Sequence, residues 1–448
     1  MRKVKILLIV LFVANHFSHA TTENYEEQFP DEKEKESIDN FIAGETKSFL
    51  DKLNKERVKD NKEEITMEQI KDDKGVNKEK EILIDILNNF SKKLKEQNEK
   101  RRDKIENIEI DKKKYCYKLK IKAEKGIMFT SDTHAEADKV EKIWYFFDQL
   151  KQKNEADKLV FLGDYGDRGK YWTYTYFLLA AMAEKYGEDI IFIRGNHEDI
   201  YTMCGNGGIY AFYAMDENGE YANNCWDEMP LICEITWNQK KIFCSHGAMP
   251  LNKKGEWKKS EIGMLNRKYF LANWNENIFT EDLKQKIQPS YYRGSGYEIP
   301  IKKIFDNMED KGYDWSIHGH VHKNQCGILK NKNKRVVTIV ANEGYYNTRP
   351  DSPFLPAVYI INDENPNGIF FNLLQKQNEK IEELNTEKTK NMKVLNNCVI
   401  YEYDFEEEMK VDLQKQNEKI HAKSKYNFKG KNKFKTLLKT ICCCCNFW

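Results

Sequence analysis

The chain has 448 residues, 40% hydrophobic and 32% charged, which suffices for one good-sized core and leaves length for two or three domains. Lysine and arginine (73) balance aspartate and glutamate (72), so a basic nucleic-acid coat is excluded as the organising principle. No apolar run approaches the roughly 18 residues of an ordinary transmembrane helix. Of eleven cysteines, four form a terminal run and the other seven show no Cys-x-x-Cys spacing, which argues against a zinc ribbon or a thioredoxin-like site.

Arg2, Lys3 and Lys5 precede an apolar run from Ile6 to Ala14, and Ser18-His19-Ala20 follows with small residues two apart. That order of charge, apolar stretch and small-residue exit reads as a secretory signal over 1–20. From 21 to 114 about half the residues are charged, with no Trp and no Cys, a composition expected of a helical or disordered extension. Within it Leu83, Ile86, Leu87, Phe90 and Leu94 recur at helical spacing, a narrow apolar stripe that must meet the main domain or a partner.

Composition shifts near Tyr115: seven of the eight Trp lie between Trp144 and Trp315. Short apolar runs predict buried strands in KGIMFTSD, DKLVFLGD, DIIFIRGN, KIFCSHG, WSIHGH, RVVTIVAN and PAVYIIN. Val140 to Leu150 and Tyr171 to Tyr186 read as helices between the early strands. Strand–helix–strand alternation implies an α/β domain, parallel at first, over 115–362. The aromatic cluster Tyr171 to Phe177 reads as core. Beyond it, 363–448 is a charged C-terminal extension in which LQKQNEKI occurs twice without a regular period, around a strand-like VIYEYDF. Lys419 to Lys439 contribute eight lysines with no acid, and Cys442 to Cys445 follow. Basic charge plus S-acylation would supply the two signals stable membrane anchoring needs; a disordered, aggregation-prone tail is the equal alternative.

Polar residues cluster where the strands end: Asp132 and His134 in SDTH, Asp164, Asp167 and Arg168 in GDYGDRG, Asn196 and His197 in RGNHE, His246 in SHG, and His318, His320 and His322 in HGHVH. The carboxyl ends of strands in open α/β sheets are where ligands bind. Carboxylates, one amide and several neutral imidazoles form a mixed N/O donor set suited to Mn, Fe or Zn rather than Ca. Two ions need a bridging ligand, and Asp164 is central in the set. A pair of ions polarises a phosphoryl group and activates water. Arg168 offers a planar fork to phosphate oxygens, and His197, oriented by Asp167, is a candidate general acid.

These blocks resemble the signatures of calcineurin-like metallophosphoesterases, and GDYGDRG with RGNHE narrows the resemblance to the phosphoprotein phosphatase group, over about 115–350. The resemblance implies a β-sandwich flanked by helices. It implies two divalent metal ions, with Asp132 and His134 on the first, Asp164 bridging, and Asn196, His246 and His320 on the second. It also implies His197 with Asp167 as the acid pair, and Arg168, Arg293 in YYRGSG and Asn196 contacting substrate phosphate. Ser131 replaces the usual Gly before Asp-x-His, HGAMP replaces His-Gly-Gly, and Ala341 to Tyr345 stands near the place of an absent Ser-Ala-Pro-Asn-Tyr loop. The extra His322 resembles broader metallophosphoesterases in which that residue binds the first metal. This mixture is similar to the Shewanella-like protein phosphatases, and the Lys-, Asn- and Glu-rich filler to their apicomplexan members. The implied activity is metal-dependent hydrolysis of phosphoserine and phosphothreonine in protein substrates, with phosphotyrosine open. A dinucleoside polyphosphate hydrolase is the alternative enzyme, and a scaffold built on a phosphatase fold the non-enzymatic one. With the signal segment, the expected location is the secretory pathway. Cys204 and Cys225, flanking a glycine- and aromatic-rich insertion, either pair or stay as buried thiols; Cys116, Cys233, Cys244, Cys326 and Cys398 read as structural.

Overall fold

The structure, a computed structural model, describes residues 32–71, 76–110, 113–199, 202, 220–257, 272, 275–278, 286–290, 295–321, 327–342, 356–373, 392–395 and 398–404. The expected signal segment, Cys204, Arg293, His322, Cys326 and the Lys-rich cysteine tail lie outside these residues.

In chain order the elements are α1 (Glu32–Lys59), α2 (Met67–Lys71), α3 (Val76–Lys100), β1 (Ile105–Ile110), β2 (Lys113–Lys122), β3 (Gly126–Thr130), α4 (Ala137–Gln152), β4 (Lys158–Phe161), α5 (Trp172–Tyr186) and β5 (Ile190–Phe192). Then come α6 (Glu220–Trp226), β6 (Ile232–Trp237), β7 (Lys240–Ser245), β8 (Glu276–Ile278), β9 (Gln288–Pro289), β10 (Tyr297–Pro300), α7 (Ile301–Lys311) and β11 (Trp315–His318). The last are β12 (Gly327–Asn331), β13 (Lys334–Thr338), β14 (Ala357–Asn362), β15 (Ile369–Asn372), β16 (Met392–Leu395) and β17 (Cys398–Asp404). All seven apolar runs read as strands are strands, and both expected helices are present.

Two sheets face each other. One has the order β15-β14-β3-β4-β5, with β3, β4 and β5 parallel. The other runs β1-β2-β6-β7-β11-β13-β12-β17-β16, with β7, β11 and β13 parallel at its centre. The strands read as continuous apolar runs because both faces are covered. In β3, Ile127 and Phe129 point into the inter-sheet layer while Met128 faces the helices. In β7, Ile242 and Cys244 join that layer while Phe243 turns towards α7, which packs Ile301, Ile304, Phe305 and Met308 beneath the larger sheet. The result is helix, sheet, sheet, helix: the α/β sandwich expected.

The packed body begins well before residue 115. Leu83, Ile86, Leu87, Phe90 and Leu94 of α3 are buried in the same core as α4 and α5, as are Ile38, Ile42, Phe49 and Leu53 of α1. Phe90 meets Phe192 edge-on at 5.0 Å between centroids, and Phe49 meets Phe177 at 5.2 Å. Few apolar residues suffice here because α5 is buried from Trp172 to Ala183, so the receiving surface is apolar on its outer side as well. The tethering is polar too. Asn98 of α3 donates to the Glu228 carbonyl at 2.9 Å, and the buried Arg57 of α1 pairs with Asp85 of α3. The stripe docks on this domain. Cys116, Cys225, Cys233 and Cys244 are buried free thiols, and among the described residues no helix is long and apolar enough to cross a membrane.

Candidate metal centre

Five loops meet at the carboxyl ends of the central strands. β3 delivers Asp132 and His134, β4 delivers Asp164 to Arg168, β5 delivers Asn196 and His197, β7 delivers His246, and β11 delivers His320. Parallel pairing continues past the strands, since Asp132 N–H donates to the Gly163 carbonyl at 2.9 Å and His134 N–H to the Asp164 carbonyl at 3.0 Å. The two loops after β4 and β5 approach so closely that a Cβ on Gly163 would lie 2.5 Å from the Gly195 nitrogen, and φ at Gly163 is +105°. Asp132, His134, Asp164, Asp167, Arg168 and His320 all hold φ between 44° and 66°. Left-handed backbone at non-glycine residues is costly and gathers where function over-determines the geometry.

Two groups of ligand atoms form, each within 4.8 Å: His134, Asp164 and His197 in one, Asp164, His246 and His320 in the other, every residue buried. Asp164 belongs to both. Its Oδ2 is buried and accepts no hydrogen bond from any described residue, although His246 Nε2 lies at 3.2 Å and the Nε2 atoms of His134 and His197 at 3.7 Å. Burial alone would raise the Asp164 carboxyl, yet the imidazoles of His246, His197 and His134 outweigh it and hold it well below the usual carboxylate range.

The proton inventory explains why a cation fits. His246 Nδ1 donates to the Leu162 carbonyl at 2.8 Å, which leaves a lone pair on Nε2. That nitrogen faces Asn196 Oδ1 at 2.9 Å and Asp164 Oδ2 at 3.2 Å, so with the ring neutral three electron-pair donors converge on one another. A proton or a metal ion has to sit there. Against its burial, the Asp164 and Asp132 charges push His246 up to about 9, which shows how strongly the site calls for positive charge. The donor set is the mixed N/O set that suits borderline divalent ions.

Asp167 is shared between two rings. Its Oδ1 accepts from His134 Nδ1 at 2.8 Å, and its Oδ2 meets His197 Nδ1 in a short hydrogen bond. Burial works against the Asp167 carboxylate, but those two bonds hold it below its ordinary range. Both rings therefore turn Nε2 towards the centre. Arg168 spans them, with one nitrogen 2.9 Å from His197 Nε2 and another 3.3 Å from His134 Nε2.

Asp132, His134, Asp164, Asp167, Arg168, Asn196, His197, His246 and His320 are thus brought together. His318 is not: its Nδ1 bonds the Val337 carbonyl at 3.1 Å, and burial, then His246, lower its imidazole to about 3. Sequence reasoning gave Glu198 no role, although it closes the RGNHE block. Its carboxylate accepts from the backbone N–H of Asp164 (2.8 Å), Gly195 (2.8 Å) and Tyr165 (3.0 Å), stapling the β4 and β5 loops together. Burial and the Asp164 charge push it up to about 7 against those donors. A lone Glu after Asn-His carries no periodic or spacing signal that would announce such a contact.

Residues 126–324 match the sequence profile of the family described as calcineurin-like phosphoesterase. A Caenorhabditis elegans protein named as a candidate serine/threonine-protein phosphatase is 32% identical over 134 residues, 28% of this chain and 34% of that protein, so the chain spans about a third of its length. Among solved structures, a Saccharomyces cerevisiae protein serine/threonine phosphatase is similar at 14% identity and TM-score 0.46, over 66% of this chain and 90% of the other. A hypothetical protein of Pyrococcus horikoshii is similar at 13% identity and TM-score 0.35, over 55% and 87%. With the donor set and the profile in agreement, residues 126–324 form a calcineurin-like phosphoesterase domain.

Proposed function

We propose that the chain is a protein phosphatase that hydrolyses phosphoserine and phosphothreonine at a dinuclear metal site. The observation that carries this is the sharing of the buried Asp164 by two groups of ligand atoms. Asp132, His134 and Asp164 would hold one divalent ion, and Asp164, Asn196, His246 and His320 the other. When bound, such a pair polarises the phosphoryl oxygens and lowers the pKa of a coordinated water.

The chain's own residues do the rest. Arg168, partly exposed beside both Nε2 atoms, would exchange them for phosphate oxygens, which suit its planar fork better. Asp167 keeps the Nδ1 proton of His197 engaged, so the proton that His197 can give a leaving alkoxide resides on Nε2. Asp167 also stabilises the imidazolium before that transfer. His134 is aimed by the same carboxylate, which couples ligand geometry to acid geometry. Residues 1–20 and the lysine- and cysteine-rich tail would place the enzyme in the secretory pathway, with membrane association through the tail.

The test is turnover of a phosphopeptide panel containing phosphoserine, phosphothreonine and phosphotyrosine, with and without added Mn²⁺, beside a dinucleoside tetraphosphate. Metal-dependent release from phosphoserine and phosphothreonine peptides is expected. Preference for the dinucleotide, or no turnover by a metal-loaded chain, overturns it.

A further inference from the structure

Ser131 stands one residue before a proposed ligand and has no part in the chemistry above. It is wholly buried, and its backbone is fixed on both sides, by β3 and by the Ala341 N–H, which donates to its carbonyl at 2.8 Å. Its hydroxyl donates to Asp132 Oδ2 at 2.5 Å. The His320 backbone N–H donates to the same oxygen at 3.0 Å. Asp132 Oδ1 is turned the other way, 3.8 Å from His134 Nε2. The carboxylate is thus divided, one oxygen bound by two protein donors and the other facing the imidazole.

Room for this contact is reserved on the opposite loop. A Cβ on Gly319 would fall 1.9 Å from Ser131 Oγ and 2.2 Å from Asp132 Oδ2, so the backbone between His318 and His320 can pass only because that residue has no side chain. The hydroxyl, the carboxylate and the Gly319 backbone form one packed unit joining the β3 loop of one sheet to the β11 loop of the other. A carboxylate free to rotate loses orientation each time it releases an ion. One fixed by two hydrogen bonds on a single oxygen has paid that entropy in folding, and outer-shell partners of this kind typically carry about 10–100-fold in metal affinity.

We infer that Ser131 is a positioning residue: its hydroxyl locks Asp132 as a one-oxygen ligand and sets the affinity of the ion that Asp132 and His134 hold. This rests on the metal reading of the site, and the experiment keeps the two apart. Metal-stripped full-length wild type, Ser131→Ala and Ser131→Cys are titrated with Mn²⁺ by calorimetry, with circular dichroism melts alongside. Cysteine keeps the bulk of serine but is a weak donor. Wild type is expected to bind two ions. Both variants are expected to bind one of them about 10–100-fold more weakly and the other within about twofold of wild type. Should Ser131→Ala fail to fold, Ser131→Cys carries the test alone. Wild-type affinity at both positions in Ser131→Cys would mean that Ser131 only fills space, and would overturn the inference while leaving the metal reading intact. A wild-type chain that binds no Mn²⁺ would overturn the metal reading and this inference with it.

Discussion

His134 Nδ1 donates to Asp167 Oδ1 at 2.8 Å, so a residue read from sequence as the partner of the acid also aims a proposed metal ligand. One carboxylate therefore serves two imidazoles, whose rings meet edge-on at 5.0 Å between centroids. Asp167→Asn is expected to lower both turnover and Mn²⁺ affinity, the latter by about 10–100-fold. An amide must offer one ring an N–H where that ring needs an acceptor. Calorimetric titration together with phosphopeptide turnover checks this; a rate defect with unchanged affinity would confine Asp167 to the acid.

His197→Ala is expected to keep both ions and lose about 10²–10⁴-fold in rate, the usual contribution of a positioned proton donor. Metal content by mass spectrometry decides the point. His197 Nε2 is as far from Asp164 Oδ2 as His134 Nε2 is, at 3.7 Å, so loss of one ion would make it a ligand instead.

Asp164→Asn is expected to empty both positions. It removes the one charge that both ligand groups share, in a buried place where His246, His134 and His197 surround it. The affinity loss should exceed that of Asp167→Asn, with phosphopeptide turnover abolished. Retention of two ions at wild-type affinity would remove Asp164 from the bridge.

Asp148 tests the helical layer through pH. It accepts from Lys185 at 2.7 Å and from the Tyr186 hydroxyl at 2.8 Å, and despite burial these hold its carboxyl below the usual value. A depressed folded-state pKa gives stability that is fully present above the unfolded value, about 4, and is lost as pH falls through the folded value. Asp148→Asn should therefore cost about 1–3 kcal/mol at pH 7. The gap to wild type should begin to narrow below about pH 4 and close once the pH has fallen past the folded value. Urea melts at pH 7 and pH 3 measure it; an unchanged gap at pH 3 would assign the loss to packing.

Phe90→Ala should destabilise the whole domain by about 3–5 kcal/mol, the range for truncating a buried aromatic. Phe90 is fully buried against Phe192 of β5, one turn of chain before the Asn196 loop. A single cooperative melt shifted downward is expected. A separate early transition, with the main melt unmoved, would make α3 an independent appendage.

The strand and helix alternation from Lys125 to Tyr186, and the placing of Asp132, Asp164, Asn196, His246 and His320 at strand ends, are legible in sequence because each rests on a local pattern: an apolar run closed by a polar block. The metal chemistry is legible because donor type is a property of the residue itself. Which donors converge is not local. The 3.2 Å between His246 and Asp164 exists only once two sheets have stacked, and the division of Asp167 between His134 and His197 and the grip of Glu198 on three backbone N–H groups only once the β3, β4 and β5 loops of one sheet share one volume. The same holds for α1 and α3. Counted alone they bury too little to offset chain entropy. The outer face of α5, drawn from another part of the chain, supplies the missing surface, and only tertiary structure could put it there.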